Sequence, residues 1–313
     1  MRASRWLCLG LGLGLSLAAE HARAFCRTTT CSPGECQAAP ECAYCLTGGL
    51  PLYWPGGCTS FSTQVSGTTL RGISAATTGQ LVEQALAQWI AVDCGGAPPS
   101  LDIYRTQEVV CGQQEYNQDS PNANVWMYRD DAWPYAGSGS TLALTTVTYN
   151  VKTGEIYDSD VEINSIEVPL TVGDTQVQAD LSSIIAHEAG HFLGLSHSCD
   201  KLATMYASYQ FGETGLRTLE ADDVAGICAI YPPGKDTSSC DPTPRHGFSI
   251  DCGEPLEDTG CCTTAPGGSG TSGRWAVGLG LGALGLARAR HRRCTKTPVA
   301  TMSAYGSPAH SAA

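Results

Sequence analysis

The eleven residues from His187 to His197 read His-Glu-Ala-Gly-His-Phe-Leu-Gly-Leu-Ser-His. His187 and His191 are four apart, so on a helix both project from one face and can grip one metal ion. Gly194 lets the backbone leave that helix through a left-handed conformation, which residues with a Cβ resist. The chain can then turn back and deliver His197 as a third ligand. Three neutral imidazoles around Zn2+ leave one tetrahedral position for water, the layout of a catalytic rather than a structural zinc site. Glu188, beside the first ligand, is placed to take a proton from that water. The chemistry expected of these residues is hydrolysis.

A bare His-Glu-x-x-His occurs by chance in unrelated chains; the added glycine and third histidine make the pattern far more specific. Between residue 24 and the C-terminal apolar run there are four histidines, and only His246 lies outside the motif. A core helix that merely carries histidines at its solvent edge does not explain Glu188. A non-catalytic zinc-bearing surface or adhesion protein would keep the histidines without needing that glutamate. A zinc aminopeptidase with a glutamate ligand would need a downstream glutamate on a helix. Here Glu213 sits in a Gly-rich loop and Glu220 at a helix start, while His197 already fits.

The elements around the motif are legible from periodicity. Thr59 to Val65 reads as a strand, and Ile73 to Val92 as a helix with Leu81, Val82, Ala85, Leu86, Trp89 and Ile90 on its apolar stripe. Leu101 to Tyr104 and Asn124 to Tyr128 alternate like strands; Thr141 to Asn150 and Ile156 to Asn164 form a hairpin-like pair about a turn at 152–155. Asp180 is a good N-cap for the motif helix. A last helix begins near Thr218, with Glu220, Asp222 and Asp223 in its first turn and Leu219, Val224, Ile227 and Ile230 facing inward. Strands first, then a metal-bearing helix and a closing helix, indicate an α+β domain over 59–232.

The rest of the 313 residues are read as appendages. Residues 1–24 form a secretory signal: Arg2 and Arg5, an apolar run from Trp6 to Ala19, and the small-x-small site Ala22-Arg23-Ala24. Residues 25–58 are rich in cysteine, and twelve of the sixteen cysteines lie between Cys26 and Cys252, as in a disulfide-bonded exported chain. Cys94 with Cys111 and Cys199 with Cys228 are candidate pairs, and Cys42-Ala43-Tyr44-Cys45 is half of a conceivable second zinc site. Residues 233–260 read as a Pro/Gly/Ser linker. In 261–293 an apolar run from Trp275 to Ala287 precedes Arg288, Arg290, Arg292 and Arg293, a short membrane segment with a basic flank, and 294–313 is a polar tail. The net charge of -12, with no basic patch in the central region, argues against nucleic-acid binding.

Several segments carry a family resemblance. His187 to His197, Met205-Tyr206 with Tyr209, and Leu219 to Ile227 with Ile230-Tyr231 together look like a matrixin catalytic domain of the metzincin clan. Thr153 to Ile156 and Asp160 to Asn164 are similar to the strand region of bacterial matrixin-like proteases. The resemblance implies a twisted mixed sheet with an active-site helix and a C-terminal helix, and an exported zinc endopeptidase acting on proteins or peptides. It implies His187, His191 and His197 as zinc ligands, Glu188 as general base, Met205 as the floor beneath the metal, and Asp223 as the carboxylate tying the closing helix to that turn. Ala207 stands where astacin-like relatives place a metal-binding tyrosine, which favours the matrixin branch. No histidine lies between Ala22 and Ala186, so the second zinc of animal matrixins is not expected. Asp158, Asp160, Glu162 and Asn164 are candidates for Ca2+, with a solvated strand edge as the alternative. A peptide substrate would lie along an edge strand in the 124–150 region, and Ala207 to Arg217 would shape the pocket beyond the cleaved bond. Cys261-Cys262, the Gly/Ser stretch, the apolar segment and the arginines resemble the MYXO-CTERM sorting tags of myxobacterial surface proteins.

Overall fold

The computed structural model describes residues 25–31, 36–135, 141–251 and 299–303. The expected signal segment and the apolar C-terminal run lie outside these residues. Among the described residues no helix is long and apolar enough to cross a membrane.

A short hairpin, β1 (Gln37–Ala39) and β2 (Cys42–Thr47), leads into β3 (Cys58–Thr63) and helix α1 (Ala75–Ile90). Then come β4 (Asp102–Arg105), β5 (Val125–Tyr128), β6 (Ala143–Asn150) and β7 (Ile156–Ile163). A two-strand ribbon, β8 (Leu170–Thr171) with β9 (Ala179–Asp180), delivers the chain to α2 (Leu181–Phe192). Helix α3 (Ala221–Ile230) closes the domain, and β10 (Val299–Ser303) is a distant addition. The main sheet runs β10-β6-β7-β5-β3-β4. Strands β4, β3, β5 and β7 are parallel; β6 is antiparallel to β7, and β10 to β6. This is an α+β domain of metzincin type, with the expected hairpin at 141–164.

Local chemistry explains the helix starts. Ser74, in extended conformation, accepts a hydrogen bond from the Thr77 N–H, so α1 begins at Ala75 rather than Ile73. The Asp180 carboxylate caps α2 by accepting from the Ser183 N–H at 2.9 Å. Glu220 and Asp223 form a reciprocal capping box on α3. Asp223 thereby takes an inward position, and Val224, expected on the apolar face, is only half-buried.

Strand alternation sorts two cores. Trp126 and Tyr128 of β5, with Val161 and Ile163 of β7, face α1 and α2, where Val82, Leu86, Trp89, Ile185 and Phe192 fill the space. The Trp89 indole N–H donates to the Ala186 carbonyl at 3.0 Å and ties the two helices. Val125 and Met127 point to the other face, where Val109, Cys111, Ala123 and Phe248 cover them. Residues 240–251, in the stretch read as a linker, pack on that face: Cys240 is bonded to Cys58, and the Asn122 amide donates to the Arg245 carbonyl.

The disulfides correct both candidate pairs. Cys94 joins Cys228 on α3, and Cys199 joins Cys42 at the start of β2. Cys26–Cys45 and Cys31–Cys36 staple the N-terminal segment. The sulfurs of Cys26, Cys42 and Cys45 cluster, yet each belongs to a disulfide and none is a metal-binding thiolate.

Arg217 secures the start of α2. Its guanidinium donates to both Asp180 oxygens, at 2.7 and 2.6 Å, and to Asp174 and the Gly173 carbonyl. Asp180 is fully buried, so this fork compensates a charge that water cannot reach. Arg217→Ala is expected to lower the unfolding free energy by about 2 kcal/mol in urea titration. An unchanged midpoint and slope would show that the N-cap bond alone supports the carboxylate.

Candidate metal centre

The sequence placed the three histidines on a helix and its return; the fold brings their rings to one point. The Nε2 atoms of His187 and His191 are 3.2 Å apart, as are those of His191 and His197. All three ligand atoms lie within 4.8 Å of one another. Helix α2 stops at Phe192, and Gly194, at φ +101°, turns the chain back. A Cβ there would stand 2.9 Å from the Leu52 carbonyl oxygen, so close approach as well as conformation calls for glycine.

Two rings are oriented by backbone carbonyls: His187 Nδ1 by Thr204 at 2.7 Å, and His191 Nδ1 by Leu195 at 2.9 Å. Such partners leave each Nε2 lone pair facing the common point. Burial pushes all three imidazoles below their ordinary range, His191 to about 3. The neighbouring rings add to this for His191 and His197. They are therefore neutral, the form that donates a lone pair to a metal. The donor set fits zinc.

Glu188 is 6 % exposed, and the Thr145 hydroxyl of β6 donates to its Oε2 at 2.5 Å. Burial raises its carboxyl to about 7, against the opposing effect of that hydrogen bond. Thr145 was not singled out from sequence. Its neighbourhood of β-branched residues reads only as strand, and nothing local marks which threonine meets the helix.

Met205 is buried, with its side chain against Gly190 of α2 and its backbone N–H donating to Asp223 Oδ1 at 3.0 Å. Asp223 Oδ2 accepts from Thr204 and Glu220. One carboxylate thus ties the methionine turn to the start of α3, and Thr204 in turn orients His187. Burial raises the Asp223 carboxyl, while its backbone donors pull the other way. The Tyr209 hydroxyl accepts from the Asp180 N–H and donates to the Glu213 carbonyl at 2.7 Å. It braces the 207–217 segment against the start of α2.

The calcium candidates divide. Glu162 is paired with Arg129 and accepts from the Tyr135 hydroxyl, and the Asn164 amide donates to Thr141 and Glu167. Asp158 and Asp160 are each 1 % exposed, not on a solvated edge, because the 112–122 loop covers their face of β7. Asp160 accepts from the Glu115 and Val125 N–H groups; neither Asp158 oxygen has a partner. Burial raises both carboxyls, and for Asp158 the charges of Asp160 and Glu115 raise it further.

An α+β sheet-and-helix frame thus carries three convergent imidazoles on His-Glu-x-x-His-x-x-Gly-x-x-His. Residues 116–232 match the matrixin family model. Human neutrophil collagenase is 33% identical over 139 residues, 41% of this chain and 28% of that protein. Human matrix metalloproteinase-20 is 36% identical over 105 residues, 34% of this chain and 20% of the relative. Metalloendoproteinase 1-MMP of Arabidopsis thaliana is 36% identical over 103 residues, 33% of this chain and 27% of the relative. The chain thus spans well under a third of the length of these relatives.

Gly190 lies where α2 crosses the methionine turn. A Cβ there would stand 2.1 Å from Met205 Sδ and 3.0 Å from the Trp89 ring. Gly190→Ala is therefore expected to cost about 1–3 kcal/mol of stability through overpacking, despite the better helix propensity of alanine. A thermal midpoint at or above the wild-type value would refute that contact as a constraint.

Proposed function

We propose that this chain is an exported zinc endopeptidase of matrixin type. The observation that carries the reading is the convergence of three imidazoles, those of His191 and His197 buried and that of His187 half-buried, beside a carboxylate held by Thr145. His187, His191 and His197 would hold the metal. Zinc supplies a Lewis acid and a water acidified towards neutrality when bound. Glu188 is the general base: Thr145 fixes Oε2, and Oε1 takes a proton and returns it to the leaving amine. Met205 floors the site, and Asp223 keeps that floor in register with α3. Two of the similar proteins are named as a collagenase and a metalloendoproteinase, which favours a protein or peptide substrate.

The peptide is proposed to lie extended along β6. Strand β10 holds the Thr146–Asn150 half of that edge, which leaves Ala143 to Thr145, the half beside Glu188, for a substrate backbone. The segment 207–217, anchored through Tyr209 and Arg217, forms the wall beyond the scissile bond. Five disulfides among the described residues accord with export. Removal of 1–24 and surface display through a MYXO-CTERM-like tag in 261–293 are part of the same proposal.

The secreted protein is expected to cleave casein at internal bonds and to lose that activity with a chelator. Glu188→Ala should retain stoichiometric zinc by metal analysis and lose at least about 100-fold in kcat/KM. Full activity in that variant overturns the mechanism; release of terminal residues alone overturns endopeptidase.

Calcium is proposed at the buried Asp158 and Asp160 carboxylates, beside Glu115, where the Asp158 oxygens have no hydrogen-bond partner among the described residues and Arg129 is committed to Glu162. The raised pKa values of Asp158 and Asp160 mean that the folded state holds protons the unfolded chain has released. Without calcium, stability is therefore greatest below the ordinary carboxylate range and declines as pH rises above it. Saturating Ca2+ at neutral pH is expected to raise the thermal midpoint by roughly 5 °C. Asp158→Asn should abolish that response and flatten the pH slope, and an equal calcium response in the variant would place the ion elsewhere.

A further inference from the structure

The first described residues are built against the return loop that carries the third histidine. Arg27 and Leu195 form an antiparallel bridge, in which the Thr28 N–H donates to the Gly194 carbonyl at 2.9 Å and the Ser196 N–H to the Cys26 carbonyl at 2.8 Å. The Thr28 hydroxyl donates to the Leu195 carbonyl, and the Ser196 hydroxyl to the Tyr44 carbonyl. The Cys42–Cys199 disulfide then bolts the β1–β2 hairpin to the loop two residues beyond His197. Tyr44, between Cys42 and Cys45 on β2, meets the His197 ring edge-on, with centroids 5.3 Å apart and planes at 77°.

His197 differs from the other two histidines in what orients it. His187 and His191 each have a backbone carbonyl on Nδ1, whereas the only hydrogen-bonding contact of His197 among the described residues is with His191 Nε2. A ligand ring without a polar partner is free to rotate about its Cβ–Cγ bond unless packing stops it. Besides the rings of His187 and His191, the ring that packs on it is Tyr44, from the Cys-rich segment outside residues 116–232 that match the family model.

We propose that Tyr44, held by the Cys42–Cys199 bond, is a positioning residue for His197. The N-terminal Cys-rich segment would thus be a disulfide-held brace for the third metal ligand. An edge-to-face aromatic contact supplies the orientation that carbonyls supply to the other two rings. The Cys42–Cys199 bond makes the brace covalent.

The inference rests on the zinc reading, and the two can fail separately. The full secreted chain is stripped of metal, reloaded, and measured for zinc affinity against a chromogenic chelator and for the cobalt absorption spectrum. Tyr44→Ala is expected to bind zinc about tenfold more weakly and to shift the cobalt bands, with the metal-free thermal midpoint nearly unchanged. Tyr44→Phe, which keeps the ring, should restore both to within twofold of wild type. The paired change Cys42→Ser with Cys199→Ser should weaken zinc at least as much as Tyr44→Ala; if it does not fold, the two Tyr44 variants decide alone. Wild-type affinity and spectrum in Tyr44→Ala overturn the brace, as does an equal loss in Tyr44→Phe. A wild-type chain that binds neither metal overturns the zinc reading itself.

Discussion

Three imidazole nitrogens separated by 3.2 Å steps in a buried pocket are the demand on which the fold is organised. Neutral rings at that spacing have no strong attraction for one another, and burial removes their hydration, so the surrounding frame must hold each ring. His187 depends on the Thr204 carbonyl, Thr204 on Asp223, and Asp223 on the first turn of α3. His191 depends on the Leu195 carbonyl, which only the turn at Gly194 brings back over α2. A chain of hydrogen bonds through backbone atoms thus connects the last helix to the ring nitrogens. Side chains at the links are few, and each is buried.

The same economy governs the start of α2. Asp180 caps the helix, accepts the Arg217 fork and stands beside the Tyr209 hydroxyl. The 207–217 segment and the helix that bears two histidines therefore share one anchor. Motion of that segment relative to α2 requires breaking charge-assisted bonds in a place shielded from water. On the other side of the sheet, alternation along β7 puts Asp158, Asp160 and Glu162 in a row beneath a loop. Arg129 compensates only Glu162.

Much of the frame was legible because it rests on periodicity and local capping. The α1 stripe, the β6–β7 hairpin, Asp180 as cap and the acidic first turn of α3 all follow from contacts within a few residues. The motif itself named the three histidines and Glu188 for the same reason, since helical spacing and one glycine suffice to bring them together. Val224 was misplaced because Asp223 claims the inward position through bonds to Thr204 and Met205, which are distant in sequence. Cys94 and Cys199 were mispaired because connectivity depends on where the β1–β2 hairpin docks, and spacing does not encode docking. The β7 carboxylates suggested a solvated edge because alternation indicates the face a side chain takes, not what covers that face.

The sequence by itself determined the three histidines of the candidate metal site, the glutamate beside them and the α+β order of elements, since each depends on spacing along one helix or strand. Tertiary structure alone decided that Thr145 holds Glu188, that Arg217 serves Asp180, and that Tyr44 lies against His197. Each of those contacts joins residues far apart in the chain. Their geometry comes from how sheet, helix and hairpin pack, a property of the folded chain as a whole.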